Sequence, residues 1–256
     1  MKAAVVNGDA RKLAELIRQD PGFDVNAEDG DGDTLLYVAC LKGNDSVIPL
    51  LLAHPYIDVN SKGGTLLEPP FMSACRGGHT ACARLLLKDS RVVVNESNDF
   101  GFTTLRNTSE FGHLDVIKWW IASGRYMDLG EPGNYLTDAI GEASAEVGSL
   151  LERFKSETTQ TRHAMRVDVG WYDEAAAEMF ALVVFVSDGL LQTKDTTTPS
   201  PAARFFNLAR RLPLELQMTL CFRQMGLAKE IIPGKEREAA FKELARKLLW
   251  SSFFTN

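Results

Sequence analysis

The chain has 256 residues, of which 28 are Lys or Arg and 34 are Asp or Glu, so its formal net charge at pH 7 is −6. Residues 1–154 carry 14 basic and 22 acidic side chains. This balance argues against a nucleic-acid partner, which requires a clustered basic face. The sequence has no apolar run of about 18 residues and no basic segment followed by an apolar core at its start, so we expect neither a membrane partner nor a signal peptide.

Four segments of similar sequence follow one another at a spacing of about 35 residues. They occupy residues 3–8, 31–43, 70–79 and 101–113. Each copy is followed by an apolar helix, and the first three of these helices are followed by Asp-Val-Asn or Val-Val-Asn. Self-similarity at this period predicts a stacked repeat rather than one globular core.

The second copy runs Asp-Gly-Asp-Thr-Leu-Leu-Tyr-Val-Ala-Cys-Leu-Lys-Gly, and its helix ends in Asp-Val-Asn. This pattern resembles the ankyrin repeat, with Leu35 and Tyr37 in place of the family's Pro and His. The resemblance covers about residues 1–155 and includes a degenerate fifth copy over residues 134–154. It implies an all-α fold, an ankyrin-repeat solenoid of about four to five helix-turn-helix pairs with short hairpin loops, whose first and last repeats are degenerate.

Several repeat positions have defined structural roles. Thr34 and Thr103 suit helix N-caps, because a hydroxyl can accept a hydrogen bond from the free amides there. Ala39 and Ala74 are small where adjacent helix pairs are expected to pack closely. The left-handed conformation that ends the first helix of each pair is expected at Gly43, Gly78 and Gly112.

Beyond residue 156 the repeat pattern stops, and we predict a second, helical domain over residues 156–256. Thr and Pro dominate a predicted linker near residues 195–201. Helices are predicted over residues 158–169, 172–194, 202–212, 213–225 and 234–250. Their apolar positions recur with helical spacing, which is typical of a small bundle. This bundle either closes the end of the solenoid or forms a separate binding module.

The stretch from Leu212 to Leu220 carries a second, shorter resemblance. Leu212, Pro213, Glu215 and Leu216 match the opening Leu-Pro-x-Glu-(Ile/Leu) of F-box domains, which in some ankyrin proteins recruit a ubiquitin-ligase scaffold. The resemblance implies a substrate adaptor that uses this helix pair. The alternative is an ordinary helix start, since Pro is favoured at the first helical position.

Motifs for catalysis, cofactors and metals are missing from the sequence. It lacks Gly-x-Ser-x-Gly, the P-loop and the dinucleotide fingerprint, and none of its four histidines has Cys, Asp or Glu at metal-ligand spacing. Four dispersed cysteines are typical of buried free thiols in a reducing compartment. We therefore expect a non-enzymatic cytoplasmic protein without cofactor or metal. The nucleus stays open as a compartment, and an enzyme in the helical tail is the less favoured alternative.

The ankyrin resemblance also implies where a protein partner binds. In ankyrin stacks the hairpin tips and the exposed side of each first helix line one concave face. The residues expected on that face are Asp31, Asp33, Leu41, Lys42, Glu68, Arg76, Asp99, Phe100, Phe102, Glu110 and Phe111. Three phenylalanines in one repeat predict an aromatic anchor, because clustered exposed aromatics mark interaction sites. The alternative is that they pack under the C-terminal bundle or against the irregular loop at residues 65–70. We predict a protein–protein interaction module that binds through this acidic and aromatic surface.

Overall fold

Helices are the regular elements of the protein throughout the residues that the structure describes. The computed structural model describes residues 1–20, 22–191, 201–229 and 231–253. Two isolated β-bridges accompany the helices there, Gly63 with Glu68 and Ser97 with Thr103. The predicted all-α fold is confirmed. The chain divides into two compact units, Met1–Val169 and Gly170–Leu249.

The first unit is a stack of helix pairs. Its helices are α1 Lys2–Val6, α2 Ala10–Gln19, α3 Leu35–Lys42, α4 Ile48–Leu52, α5 Pro70–Arg76, α6 Thr80–Lys88, α7 Thr104–Glu110, α8 Leu114–Ser123, α9 Ala145–Ser156 and α10 Thr158–Asp168. The first helix of each pair packs against the next one along the chain; we name α1, α3, α5 and α7 the inner helices and α2, α4, α6 and α8 the outer helices. The repeat pattern predicts this arrangement.

The predicted N-caps are present. Thr34 Oγ1 accepts the backbone N–H of Tyr37 at 3.3 Å, and Thr103 Oγ1 accepts that of Arg106 at 3.4 Å. The inner helix α5 begins instead with Pro70, whose missing N–H removes one of the donors that a cap would have to satisfy. The hydroxyls of Thr34 and Thr103 each accept a hydrogen bond from a backbone amide that has no partner within its own helix.

Small residues let the inner helices pack closely, and large residues fill the space behind them. Ala39 in α3 and Ala74 in α5 are fully buried, as expected for helices that pack on each other. Behind them, the rings of Phe71 and Trp120 meet edge to face with centroids 5.1 Å apart. This contact ties the inner helix of the third pair to the outer helix of the fourth.

Glycine and histidine form a matched contact between successive repeats. Gly43 and Gly78 have φ angles of +71° and +68°, a left-handed conformation that favours glycine. A Cβ on Gly43 would lie 2.6 Å from the ring of His79, and a Cβ on Gly78 would lie 2.6 Å from the ring of His113. Each imidazole therefore occupies the space that the glycine of the preceding repeat leaves open.

A ladder of asparagine side chains joins the loops that follow the outer helices. Each asparagine donates its side-chain amide to a backbone carbonyl of the next repeat and accepts a backbone N–H two residues further on. The pairs are Asn26 with Tyr56 O (2.7 Å) and Asp58 N (2.8 Å), Asn60 with Arg91 O (3.0 Å) and Val93 N (2.8 Å), and Asn95 with Tyr126 O (3.0 Å) and Asp128 N (3.1 Å). This asparagine ladder holds consecutive repeats in register, since it pairs the backbone groups of one loop with the side chain of another.

Arginines close the C-terminal ends of the outer helices. Arg91 donates to the carbonyl of Leu52 at 2.7 Å, at the end of α4. Arg125 and Arg166 do the same at the ends of α6 and α8, at 2.9 and 2.8 Å. The last carbonyls of a helix lack intrahelical partners and lie at the negative end of its dipole. A guanidinium donates a hydrogen bond to such a carbonyl and also places a positive charge at that end of the helix.

The array of pairs ends in a half repeat. Of the predicted fifth copy over residues 134–154, the second helix forms as α9, whereas residues 134–144 adopt turns instead of an inner helix. The carboxylate of Asp138 accepts three backbone N–H groups of its own loop at 2.7 to 3.2 Å, which replaces helical hydrogen bonds. The turns also reach the start of α7, where Thr103 N–H donates to the carbonyl of Leu136 at 3.1 Å.

The boundary between the two units follows Val169, whereas the end of the repeat pattern predicts a boundary after residue 155. Helix α10, which was expected in the C-terminal domain, packs against α8 and α9 of the first unit. Its Met165 is buried, and Asp168 forms an ion pair with Lys118 of α8 at 2.8 Å. The repeat pattern contains no third helix, which is why it did not indicate that α10 belongs to the stack.

The second unit is a helical bundle. Its helices are α11 Trp171–Ser187, α12 Pro201–Ala209, α13 Leu214–Gln224 and α14 Gly234–Phe253, of which the last belongs to this unit up to Leu249. Its core consists of Ala176, Ala177, Phe180, Ala181, Val183, Ala209, Met218, Cys221, Phe222, Ile232 and Ala240. The helix predicted over residues 172–194 ends earlier, at Ser187. The predicted linker lies outside the described residues up to residue 200, and Pro201 begins α12.

Ala39→Leu tests the packing of the inner helices. Ala39 has no exposed surface, so three additional carbon atoms must displace the neighbouring inner helix, and we expect a loss of about 1–3 kcal/mol in the free energy of unfolding. Ala81→Leu is the matched control, because Ala81 lies in α6 with its side chain exposed. Chemical denaturation followed by circular dichroism measures both. An Ala39→Leu variant as stable as Ala81→Leu would contradict the packing.

Candidate protein-binding face

The loops that precede the inner helices form one edge of the first unit. We name residues 29–33, 63–68 and 98–102 the tip edge; they precede α3, α5 and α7. Neighbouring tips are joined directly. Asp33 Oδ1 accepts the N–H of Gly64 at 2.6 Å, and Lys62 Nζ donates to Asp99 at 2.9 Å. These two bonds hold the three tips side by side.

The first tip is built around Asp29. Its Oδ1 accepts the N–H groups of Asp31 and Asp33 at 2.8 and 3.1 Å, and Lys2 forms an ion pair with its carboxylate. The Lys2 hydrogen bond, followed by the backbone donors, lowers the pKa of Asp29 from 3.8 to about 2. The two predicted site residues of this tip differ, since Asp31 is exposed whereas Asp33 is half-buried against the next loop.

In the second tip, one predicted site residue is buried, and two residues that were not predicted are exposed. Glu68, expected on the open face, has 0 % exposure, and the Nε of Arg76 lies 3.0 Å from its carboxylate oxygens. It is buried because its backbone pairs with Gly63 across the base of the loop. Leu66 and Leu67 are exposed instead, by 38 % and 45 %. The sequence signal for them is an insertion relative to the ankyrin pattern, which lies near residues 65–69 in the third copy of the repeat.

The third tip carries two of the three predicted phenylalanines in different environments. Asn98 Oδ1 accepts the N–H groups of Phe100 and Phe102 at 3.1 and 3.0 Å, which fixes the backbone of both. The side chain of Phe100 is 58 % exposed. That of Phe102 is half-buried, with the Arg106 guanidinium 4.9 Å from its ring centroid and the ring of Tyr135 at 6.2 Å. Phe102 is thus partly a packing residue.

The remaining predicted residues lie at the opposite ends of the inner helices. Leu41 is half-buried, and its carbonyl oxygen lies 3.3 Å from His79 Nε2, while Lys42 is exposed. Phe111 follows α7, is 54 % exposed, and stacks on the ring of His113 at 6.2 Å. The seven residues of α7 separate this end from the tip edge by about 10 Å. The three phenylalanines therefore form two separate sites rather than one cluster.

Each of three cations on this side of the unit is shared between two carboxylates. The groups are Lys2 with Asp29 and Asp31, Lys62 with Glu96 and Asp99, and Arg106 with Glu110 and Glu142. Each group contains two ionised carboxylates and one cation, so its net charge is negative. The predicted acidic surface is therefore mostly paired within the molecule, and each group retains an excess of one negative charge.

The described residues hold no group of three or more His, Cys, Asp or Glu side chains arranged to bind a metal ion. The four cysteines are unbonded and buried. Burial raises the pKa of Cys82 and of Cys221 to about 12 and that of Cys40 and Cys75 above its usual range. These thiols are therefore protonated at neutral pH, which makes them poor nucleophiles. In the same described ranges, no helix combines the length and apolarity that crossing a membrane requires.

Comparison with known families agrees with this geometry. Residues 31–64 match the family model described as "Ankyrin repeat", and residues 71–121 match that described as "Ankyrin repeats (many copies)". Both segments are therefore similar to ankyrin repeats. Together they include the third tip, all of α3, α4, α6 and α7, and most of α5 and α8, whereas residues 65–68 of the second tip lie between the two matched segments. The resemblance that was noted over these residues is confirmed.

Similar curated proteins match over less than half of the chain. They include Alpha-latrotoxin-Lg1a of Latrodectus geometricus (32 % identity over 103 residues, 40 % of this chain and 8 % of the toxin) and Ankyrin repeat domain-containing protein 13C-B of Xenopus laevis (32 % over 120 residues, 45 % and 23 %). SMC5-SMC6 complex localization factor protein 1 of Bos taurus is 30 % identical over 93 residues, 36 % of this chain and 9 % of that protein. The chain thus matches less than a quarter of the length of each relative.

The acid titration of Asp29 tests the first tip. Because the folded pKa of about 2 lies below the ordinary 3.8, the ionised group stabilises the fold above the unfolded value, and this contribution is lost as the pH falls through about 2. We expect the carboxyl carbon of Asp29 to titrate near pH 2 by NMR. Lys2→Met should raise this midpoint towards 3.8, whereas Lys12→Met, which removes a pair with Glu15, should leave it unchanged. A midpoint near 3.8 in the unsubstituted protein would contradict the Lys2 contact.

Proposed function

We propose that this chain is a non-enzymatic protein-binding module whose partner contacts the tip edge and the C-terminal end of α7, where Phe111 lies. The observation that carries the proposal is Phe100, which stands 58 % exposed on a loop whose backbone Asn98 fixes. A large aromatic side chain held in water by a rigid loop is typical of an interaction hot spot. Ankyrin repeats in general serve as protein-interaction modules, which supports this class of function.

The way in which the repeats are joined also supports binding. The asparagine ladder, the Gly43–His79 contact and the arginine caps constrain successive repeats through polar bonds and close packing. A surface that is rigid before the partner arrives loses little conformational entropy when the complex forms. Binding energy from a few exposed side chains is then sufficient for a stable complex.

The double substitution Phe100→Ala and Phe111→Ala tests the proposed face. Both side chains are exposed, so the free energy of unfolding should change by less than about 1 kcal/mol. Binding to a partner identified by proximity labelling in cells should weaken by more than about 2 kcal/mol. Isothermal titration with the purified partner measures the affinity, and thermal denaturation measures the stability.

The matched control replaces two exposed aromatics elsewhere, Tyr56 and Tyr126, by alanine. They lie in the loops of the asparagine ladder, not on the tip edge. We expect this control to retain full affinity. Equal losses in both double variants would place the partner elsewhere. A stability loss of about 3–5 kcal/mol in the Phe100/Phe111 variant would identify the two side chains as core residues.

The adaptor hypothesis has one observation in its favour. Leu214 and Leu216, which lie within the F-box-like stretch from Leu212 to Leu220, are exposed at the start of α13. Apolar side chains that a helix leaves in water are available to a second protein. Under this hypothesis the first unit binds a substrate while α13 binds a ubiquitin-ligase scaffold.

Capture of a cullin-type scaffold tests the adaptor hypothesis. The full chain should recover the scaffold from cells, and Leu214→Asp with Leu216→Asp should reduce the recovered amount by at least about tenfold, because buried interface carboxylates lack partners. Leu208→Asp, an exposed leucine of α12 outside the stretch, is the control. No recovery by the unsubstituted chain, or equal recovery by the double variant, would reject the adaptor role and leave the simpler binding module.

A further inference from the structure

Two adjacent tips present apolar side chains to solvent. Leu66 and Leu67 are exposed on the second tip, and Phe100 is exposed on the third. The ion pair between Lys62 and Asp99 joins the bases of these two loops. The three apolar side chains therefore belong to neighbouring, cross-linked loops, and together they form the apolar part of the tip edge.

Leu67 occupies a backbone conformation that leucine seldom adopts. Its φ is +49°, and among the described residues every other positive φ belongs to glycine. The left-handed region costs a branched or bulky residue conformational energy that glycine avoids. Such strain at an exposed position, where the side chain contributes little to the core, indicates that the side chain itself has a function.

The second tip is held rigidly enough to maintain this strain. Gly63 and Glu68 exchange two backbone hydrogen bonds of 3.0 Å, and the N–H of Leu67 donates to the carbonyl of Gly64 at 3.1 Å. The ring of Tyr37 fills the space beneath the loop, where a Cβ on Gly63 would lie 2.6 Å from it. Leu66 and Leu67 are therefore presented by a fixed loop rather than a mobile one.

The charge around these apolar side chains is negative. The Lys62 group beside Phe100 contains two carboxylates, Glu96 and Asp99, for one cation. The Lys2 group on the first tip has the same composition, with Asp29 and Asp31. Opposite charge on a partner is attracted to such a surface, and like charge is repelled from it.

We propose that the tip edge binds a basic segment of a protein partner. Leucine, isoleucine or phenylalanine residues of that segment cover Leu66, Leu67 and Phe100, and its lysine or arginine residues lie against the carboxylates of the Lys2 and Lys62 groups. This inference rests on the proposed protein-binding function and specifies the partner's chemistry. It excludes an acidic peptide and an anionic membrane as the occupant, because both carry the same sign of charge as the edge.

A random peptide library displayed on phage tests the partner's chemistry. Twelve-residue peptides are selected against the immobilised full chain, and those retained by a Leu66→Ser, Phe100→Ser variant are removed. We expect the remaining peptides to combine at least two Lys or Arg with Leu, Ile or Phe. A synthetic peptide of the most enriched sequence should bind the full chain by fluorescence anisotropy, more weakly at high salt, and at least about tenfold more weakly to the variant.

Leu67→Gly separates function from structure. Glycine adopts a φ of +49° without strain, so the thermal midpoint should stay the same or rise while the affinity for the selected peptide falls at least about fivefold. Val93→Ser, at an exposed apolar position of the asparagine ladder, should change neither quantity. A lower midpoint for Leu67→Gly would make Leu67 a structural residue and overturn its proposed role in binding.

The other outcomes of the peptide selection and of the affinity measurements also decide whether the tip edge binds a basic segment. Enrichment of acidic peptides, no enrichment, or equal affinity for the Leu66→Ser, Phe100→Ser variant would overturn the basic-segment proposal. Self-association by light scattering that this variant abolishes would assign the edge to a second copy of the chain instead. The proposed protein-binding function is tested separately, by the affinity of the Phe100→Ala, Phe111→Ala variant for the partner that proximity labelling identifies.

Discussion

Hydrogen bonding from the side chains of one repeat to the backbone of the next is the constraint on which the first unit depends. A helix pair of this size cannot bury its apolar face alone, so it is stable only where a neighbour covers it. The asparagine ladder supplies the specific part of that contact, because each side-chain amide bonds both a carbonyl and an N–H of the following loop, as Asn60 does with Arg91 and Val93. Apolar packing brings the pairs together, and the ladder determines their register.

That register determines what the solvent-facing residues can do. The side chains of Asn98 and Asp29 fix the backbones of their tips by accepting backbone hydrogen bonds. The exposed side chains of these tips therefore cannot move into the core. The charged side chains of this edge are also held in place, because each cation already forms ion pairs with two carboxylates. The surface therefore offers apolar contacts and a modest negative potential rather than strong fixed charges.

Sequence reasoning succeeded where one residue type dictates one backbone feature. The Thr34 cap and the left-handed Gly43 follow from local chemistry and recur with the repeat. It was wrong about the exposure of Glu68, whose burial results from pairing across an inserted loop that the family pattern does not contain. It did not anticipate the turns around Asp138 or the place of α10, since both depend on contacts outside the repeat.

The contact between Gly43 and His79 needs one residue from each of two repeats. The glycine of one repeat leaves a space, and the imidazole ring of the next repeat fills it. A helix pair is thus not a self-sufficient unit of exchange. Recombination that moves an internal pair keeps this contact only if it brings a ring to the preceding glycine and a glycine to the following ring. The third repeat satisfies both conditions, because it contains His79 and Gly78. Tandem duplication of that repeat would therefore keep this contact at every boundary that it creates.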